Sequence, residues 1–294
     1  MDITPSTQLK LEQTLSQWGH WQCEPPLAEA PDVIAVLTEG ISNHSVLVKS
    51  GTRHLVVRVD GQSPSTQGLN RHSEWRVLHT AAEASIAPAP RYFNPDLGSL
   101  VCDYLEPDPT RSTAMTEVAA LLRAIHKLPR SHQRLNLPER IGRLEKTLEH
   151  SGGVQLEQIS TRREKIQTVI DDIGHKPGIL TLCHNDLLRA NRISNGNKLW
   201  AIDWEYCAMG SPWFDLAVVI HGDELSEEER QGLLDAYLGR PMAPDELAML
   251  YRYGVIYSYL EILWYQAFGG DSLATEVLER KQTALITLID ADCL

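Results

Sequence analysis

Three oxygen-bearing side chains fall close together in one polar stretch of the chain. They are Asp186 and Asn191, within His184-Asn185-Asp186-Leu187-Leu188-Arg189-Ala190-Asn191, and Asp203, within Ile202-Asp203-Trp204-Glu205-Tyr206. An amide oxygen and a carboxylate are hard ligands that suit magnesium, which keeps several waters and is commonly held by one or two protein groups together with substrate phosphates. Asn191 and Asp203 supply such a pair. Asp186 precedes Asn191 by five residues, close enough to face the same ion while accepting a hydrogen bond from an incoming hydroxyl, so it is the residue placed to orient and deprotonate a nucleophile. His184 reads as a histidine that orients the loop through a backbone hydrogen bond rather than as a proton carrier.

These groups need elements that gather them. Asn195-Gly196 between two apolar runs predicts a β-hairpin with both residues at positive φ in a type I′ turn. Asn191 then lies just before the first arm and Asp203 just after the second, at the open end. Upstream, the β-branched runs at 33–37, 45–48 and 54–59 predict antiparallel strands, and shorter ones follow at 91–93 and 100–102. A helix is expected from about Asn70 to Ala84. Leu11, Leu15 and Trp18 mark a short entry helix with Gly19 placed as a left-handed stop.

Alternation along 54–59 puts Leu55, Val57 and Val59 on one face and Arg58 on the other. On the following helix Glu74 shares a side with Val77, Leu78 and Ala81, and an inward carboxylate there wants a cation. The turn at 39–44 has one glycine, and the Ser42 and Asn43 side chains and backbone amides are candidates for phosphate contact. At Pro107-Asp108-Pro109 the texture changes to a period near 3.6, which places a boundary between 1–106 and 107–294. Helices are expected around 118–125, 161–173, after the capping box Ser226 to Glu229, and over 245–268 and 272–289.

The order His-Asn-Asp-x-x-x-x-Asn, hairpin, Ile-Asp-Trp-Glu-Tyr follows the protein-kinase catalytic loop and metal-binding aspartate. With Gly210-Ser211-Pro212-Trp213-Phe214-Asp215-Leu216-Ala217 it closely resembles the aminoglycoside phosphotransferase and choline kinase superfamily, including its bacterial choline kinase and thiamine kinase branches. The resemblance implies an α+β, protein-kinase-like two-lobed fold, with a small antiparallel-sheet N-lobe and a larger, mainly helical C-lobe. It also implies transfer of the γ-phosphoryl group of ATP, with Mg2+, to a small-molecule alcohol. On the matching positions, Asp186 would be the catalytic base, Asn191 and Asp203 the metal ligands, and Asp215 the brace of the catalytic loop. Arg58 and Glu74 would reproduce the kinase pair that holds the α and β phosphates, with arginine in place of lysine; its guanidinium fork still suits phosphate oxygens.

The acceptor is less sharply written. Tyr251, Tyr253, Tyr257, Tyr259, Trp264 and Tyr265 crowd one helix, and aromatic faces attract ammonium groups. Tyr257 and Trp264, seven apart on one helical face, are the chosen pair. Glu205 is placed to contact substrate or to brace the magnesium shell. The resemblance adds an acidic residue shortly after the Phe-Asp-Leu-Ala segment, either Asp223 or Glu224. A choline-like alcohol is expected first, with thiamine, ethanolamine, an aminoglycoside or a sugar as alternatives of the same chemistry. A non-catalytic kinase-like sensor of a nucleotide or metabolite is the alternative from another class, and the intact Asp186, Asn191 and Asp203 set argues against it.

Composition bounds these readings. With 27 basic against 39 acidic residues and a net charge of −12, affinity resting on nucleic-acid phosphates is disfavoured. No apolar run approaches the roughly 20 residues needed to cross a bilayer, and Met1-Asp2-Ile3-Thr4-Pro5 lacks the basic and apolar segments of a secretory signal. Five scattered cysteines without a C-x-x-C pair suggest a reducing compartment. The expectation is a cytoplasmic protein acting on a small molecule, with neither nucleic acid nor membrane as partner.

Overall fold

A computed structural model describes residues 4–39, 43–61, 68–150, 157–175, 178–196, 198–268 and 275–291. The chain forms two compact units. The first comprises residues 1–112 and 192–207, the second 113–191 and 208–294. The hairpin therefore belongs with the first unit, although helical sequence flanks it on both sides.

The first unit is built on one antiparallel sheet of order β1-β2-β3-β5-β4, from β1 (Asp32–Glu39), β2 (Asn43–Ser50), β3 (Arg53–Asp60), β4 (Pro90–Asn94) and β5 (Ser99–Asp103). The alternation read from β3 holds: Leu55, Val57 and Val59 are buried beside Val46, Val48 and Val101, against Leu11 of α1 (Pro5–Ser16) and Trp21. Each such aliphatic side chain contributes about 1.5–3 kcal/mol through burial. The entry helix stops before Trp18, which lies in a short 3-10 turn, and Gly19 is not at positive φ; Gln17 caps the helix instead. Helix α2 (Arg71–Glu83) starts where Asn70 Oδ1 accepts from Ser73 N at 3.0 Å, a standard polar cap, and buries Glu74, Val77, Leu78 and Ala81 along one side.

Strands β7 (Arg192–Asn195) and β8 (Lys198–Ala201) form the expected hairpin, one residue out of the expected turn. Asn195 pairs with Lys198 inside the ladder, and of the two residues read as the turn only Gly196 has positive φ, at 58°. Asn195 is drawn into the strand because its Nδ2 donates to Glu106 O at 2.7 Å.

The second unit is mainly helical: α3 (Met115–His126), α4 (Leu137–His150), α5 (Arg163–His175), α6 (Pro212–Ala217), α7 (Glu227–Leu238), α8 (Pro244–Phe268) and α9 (Thr275–Asp290). Two short strands, β6 (Thr181–Cys183) and β9 (Ala208–Gly210), pair antiparallel. The core gathers α4, α5, α8 and α9 around Phe214, Tyr253, Ile256 and Leu263, and Ser226 and Glu229 form the expected capping box of α7. Among the described residues no helix is long and apolar enough to cross a membrane.

Candidate functional site

In the first unit Arg58 leaves β3 on the face opposite the aliphatic core. Its Nη2 lies 2.7 Å from Glu74 Oε1 and its Nη1 3.0 Å from Asp203 Oδ1. Burial, the largest influence, opposes the guanidinium charge, but Glu74, Asp203, Glu205 and Asp60 outweigh it and hold Arg58 ionised. Its Nε is buried without a hydrogen-bond partner among the described residues, leaving one oriented donor for an anion.

Arg71 escapes sequence reasoning, because an arginine one position past a helix cap looks solvent-facing. It is in fact 8% exposed and is the hub of the unit's ion network. Nη2 reaches Asp60 Oδ1 at 2.6 Å and Asn43 Oδ1 at 3.1 Å, and Nη1 reaches Glu74 Oε2 at 2.9 Å and Glu205 Oε2 at 3.0 Å. Asn43 closes the ring by donating Nδ2 to Glu205 Oε2 at 2.8 Å. Both ends of its amide are thus turned inward, and Glu205 is fixed by Arg71 and Asn43. Gly98 makes room: at φ 61° a Cβ there would meet Asp60 Oδ2 at 2.5 Å. Ser42 lies outside the described residues.

Two guanidinium groups here face four carboxylates, Asp60, Glu74, Asp203 and Glu205, so full ionisation leaves two negative charges in excess. The proton affinity of Asp203 is accordingly raised to about 7, by burial first and the Glu205 charge second, against the pull of Arg58. Asp203 is also the most open of the four, its side chain 32% exposed, and it holds a left-handed backbone at φ 59° that aspartate tolerates. Trp204, 1% exposed, pins that turn by donating its indole N–H to Ala201 O at 3.1 Å. Excess negative charge with a hard oxygen at its open edge fits a divalent cation.

The second unit carries the loop that contains Asp186. Asp215, fully buried at the start of α6, accepts from His184 N at 2.9 Å and Asn185 N at 2.6 Å, and its Oδ2 lies 3.0 Å from His126 Nε2. His184 itself is wholly buried. Asn185 sits at φ 64°, a left-handed conformation that lets the chain turn sharply ahead of Asp186. Asn191 Nδ2 donates to Asp186 O at 2.8 Å and Asp186 Oδ2 at 2.9 Å, so the amide oxygen is the Asn191 atom with lone pairs for a cation. His126, Cys183 and Asp215 bring ligand-type atoms within 4.8 Å of one another. Burial keeps the Cys183 thiol protonated well above its ordinary range, and both Asp215 oxygens already serve backbone N–H groups, so this set is a brace and not a metal centre.

The residues expected at the acceptor end separate. Asp223 Oδ1 accepts from Arg189 N at 2.7 Å and so holds the loop from its far side. Glu224 is half-exposed and paired with Arg280 at 2.8 Å. Trp264 packs edge-on against Tyr265 and Phe268. Tyr257 is buried, and its hydroxyl donates to Glu261 Oε1 at 3.2 Å. Glu261 is the acid that sequence reading missed, because one carboxylate on an apolar helix resembles a solvent-facing residue. Its side chain is 12% exposed, and burial raises its proton affinity against the pull of Lys281, whose Nζ is 2.7 Å away. The same Nζ lies 5.5 Å from the Tyr265 ring centroid. Burial first, then the charges of Glu261 and Asp186, push the Tyr257 and Tyr265 phenols upward, which places Asp186 within electrostatic reach of this aromatic cluster.

Comparison with known proteins agrees with this architecture. The protein named LicA homolog of Mycoplasma capricolum is 27% identical over 202 residues, which is 67% of this chain and 80% of that protein. The choline kinase LicA from Streptococcus pneumoniae superposes with a TM-score of 0.73 at 20% identity, covering 88% of this chain and 94% of that one. A LicA structure in complex with AMP gives a TM-score of 0.74 at 18% identity, over 95% and 97% of the two chains. These likenesses establish a kinase-like, two-lobed α+β fold. Residues 33–250 match the model of the phosphotransferase enzyme family, and with most of its length inside that match the chain belongs to this family of enzymes.

Proposed function

We propose that the protein transfers the γ-phosphoryl group of ATP to the hydroxyl of a small cationic alcohol, choline-like in the first instance. The observation that carries the acceptor class is the buried Glu261 carboxylate, bordered by Tyr257 and Tyr265 within electrostatic reach of Asp186. A desolvated acid beside aromatic faces is the environment that selects an ammonium group. The LicA proteins, one named a choline kinase and one bound to AMP, support the same reading of acceptor and nucleotide.

Phosphoryl transfer proceeds through a loose transition state, so positioning and charge neutralisation dominate. Arg58, held through Nη2 by Glu74 and through Nη1 by Asp203, contributes a fixed positive charge toward the α and β phosphates. Asp203 of the first unit and the Asn191 amide oxygen of the second are the groups that would hold Mg2+, and the ion would supply neutralisation of phosphate charge. Asp186, steadied by Asn191, aligns the acceptor hydroxyl and takes its proton. Asp215 and Asp223 keep the loop in register from its two sides.

The test is magnesium-dependent ATP consumption across a panel of choline, ethanolamine, thiamine and an aminoglycoside. Choline is expected to give the highest kcat/KM, and Asp186→Ala to lower turnover by about 1000-fold while ATP affinity stays within a few-fold. Retained turnover in Asp186→Ala overturns its role, and nucleotide binding without turnover of any alcohol overturns the enzymatic reading in favour of a sensor.

A further inference from the structure

Lys281 stands where the acceptor's positive charge is expected. It projects from α9 with its side chain 11% exposed, its ammonium 2.7 Å from Glu261 Oε1 and 5.5 Å from the Tyr265 ring centroid. Those are the two kinds of contact, a carboxylate and an aromatic face, that would hold an ammonium ligand. Tyr257 donates to the same Oε1 atom at 3.2 Å. Gly222 lets this corner close: a Cβ there would meet Leu188 Cδ2 at 2.2 Å and Tyr257 Oη at 2.5 Å, so the tyrosine reaches the loop that carries Asp186. A second acid, shared with Arg280 at 2.8 Å, lies at the rim. Glu224 Oε1 is 4.0 Å from Lys281 Nζ, its side chain 51% exposed.

We infer that Lys281 is a resident competitor: its ammonium fills the cation subsite of Glu261, Tyr257 and Tyr265 in the empty enzyme, and an acceptor's ammonium displaces it toward Glu224. This rests on the cationic-acceptor reading above and adds a specificity filter to it. The exchange conserves charge, because one cation leaves Glu261 as another arrives, so the buried carboxylate is never left alone. Lysine suits such an exchange, since its ammonium is a point charge on a flexible stem, able to swing between two acids, where an arginine fork would lock. The filter rejects neutral alcohols, which cannot replace the lost charge at Glu261. It also weakens apparent affinity for cationic ones, since a subsite self-occupied about 90% of the time binds about tenfold less tightly than an empty one.

Two measurements on the whole 294-residue chain decide the matter. In calorimetric titrations with tetramethylammonium, Lys281→Met is expected to bind about tenfold more tightly than wild type; for choline turnover, KM falls about tenfold with kcat within twofold. Equal or weaker binding by Lys281→Met, or no binding by either protein, overturns the inference. Should the variant prove unstable, reductive methylation of the wild type followed by peptide mass spectrometry serves in its place. Saturating tetramethylammonium is expected to raise the labelling rate of Lys281 several-fold, as the amine is released to solvent, and an unchanged or reduced rate overturns the displacement. Both binding readouts need no turnover. A protein that phosphorylates none of the alcohols yet shows these responses would sink the enzymatic reading and leave the displacement standing.

Discussion

Arg71 and Lys281 are both nearly buried cations set against carboxylates, one in each unit, and they are held in opposite ways. Arg71 spreads two nitrogens over Asp60, Asn43, Glu74 and Glu205, so every direction of its fork is spoken for. Lys281 makes one short bond, to Glu261, with Glu224 as an alternative 4.0 Å away. The fork ties α2, the start of β2, the end of β3 and the Asp203 turn into one piece. The point charge joins α9 to α8 through Glu261 alone. The network around Arg71 is thus fixed by geometry on several sides, while Lys281 is held by a single short contact to Glu261.

The largest expected effect is on the fork. Arg71→Met leaves four carboxylates facing Arg58 alone, and loss of one partner from such a buried set costs about 3–5 kcal/mol, measured by urea unfolding. Arg71→Lys should recover less than half of that, since one ammonium cannot reach four partners. A full recovery would erase the contrast with Lys281. Next comes Asp215→Ala, which strands two buried backbone N–H groups and is expected to cost about 2–3 kcal/mol. It should also lower kcat more than ATP affinity, because only the Asp186 loop loses its brace.

A smaller effect separates the units by pH. Asp203 has its folded proton affinity raised to about 7, mainly by burial, so its contribution favours the fold at acid pH and is lost as pH rises through 7. His221, in the π-helical turn Val218–Gly222, is pushed down to about 4 by burial, so its contribution is present above its ordinary value of 6.5 and is lost as pH falls toward 4. Without magnesium, lowering pH from 7 to 5 should therefore slow hydrogen exchange in β3 and the Asp203 turn and speed it around Val218–Gly222, after correction for intrinsic rates. Parallel shifts in both would remove the electrostatic distinction. His221→Asn should flatten the second response and leave the first intact.

What the chain discloses before folding follows the range of the interaction. The β3 alternation, the Ser226 capping box and the inward side of Glu74 are local, and each is present as read. The hairpin is legible too, but its turn lies one residue later, because Asn195 is claimed by Glu106, 89 positions away. Arg71 meets Glu205 across 134 positions and Lys281 meets Glu261 from the next helix, so no periodicity announces either. Asp223 and Glu224 look equally suited to the acceptor because proximity in sequence cannot tell that one holds Arg189 N and the other faces solvent beside Arg280. Pairs of opposite charge far apart in sequence, joined only by burial, are what the linear order of residues withholds.

The return of residues 192–207 to the first unit has a consequence for synthesis. When the leading 112 residues leave the ribosome, Arg71 already has Asp60 and Glu74 but still lacks Glu205, and Arg58 lacks Asp203. That half can collapse early but cannot finish its interior until the nascent chain has grown past position 207. A fragment cut after the fifth strand would emerge with two guanidinium groups short of counter-ions, so transplanting this module into another protein requires carrying the distant insert with it.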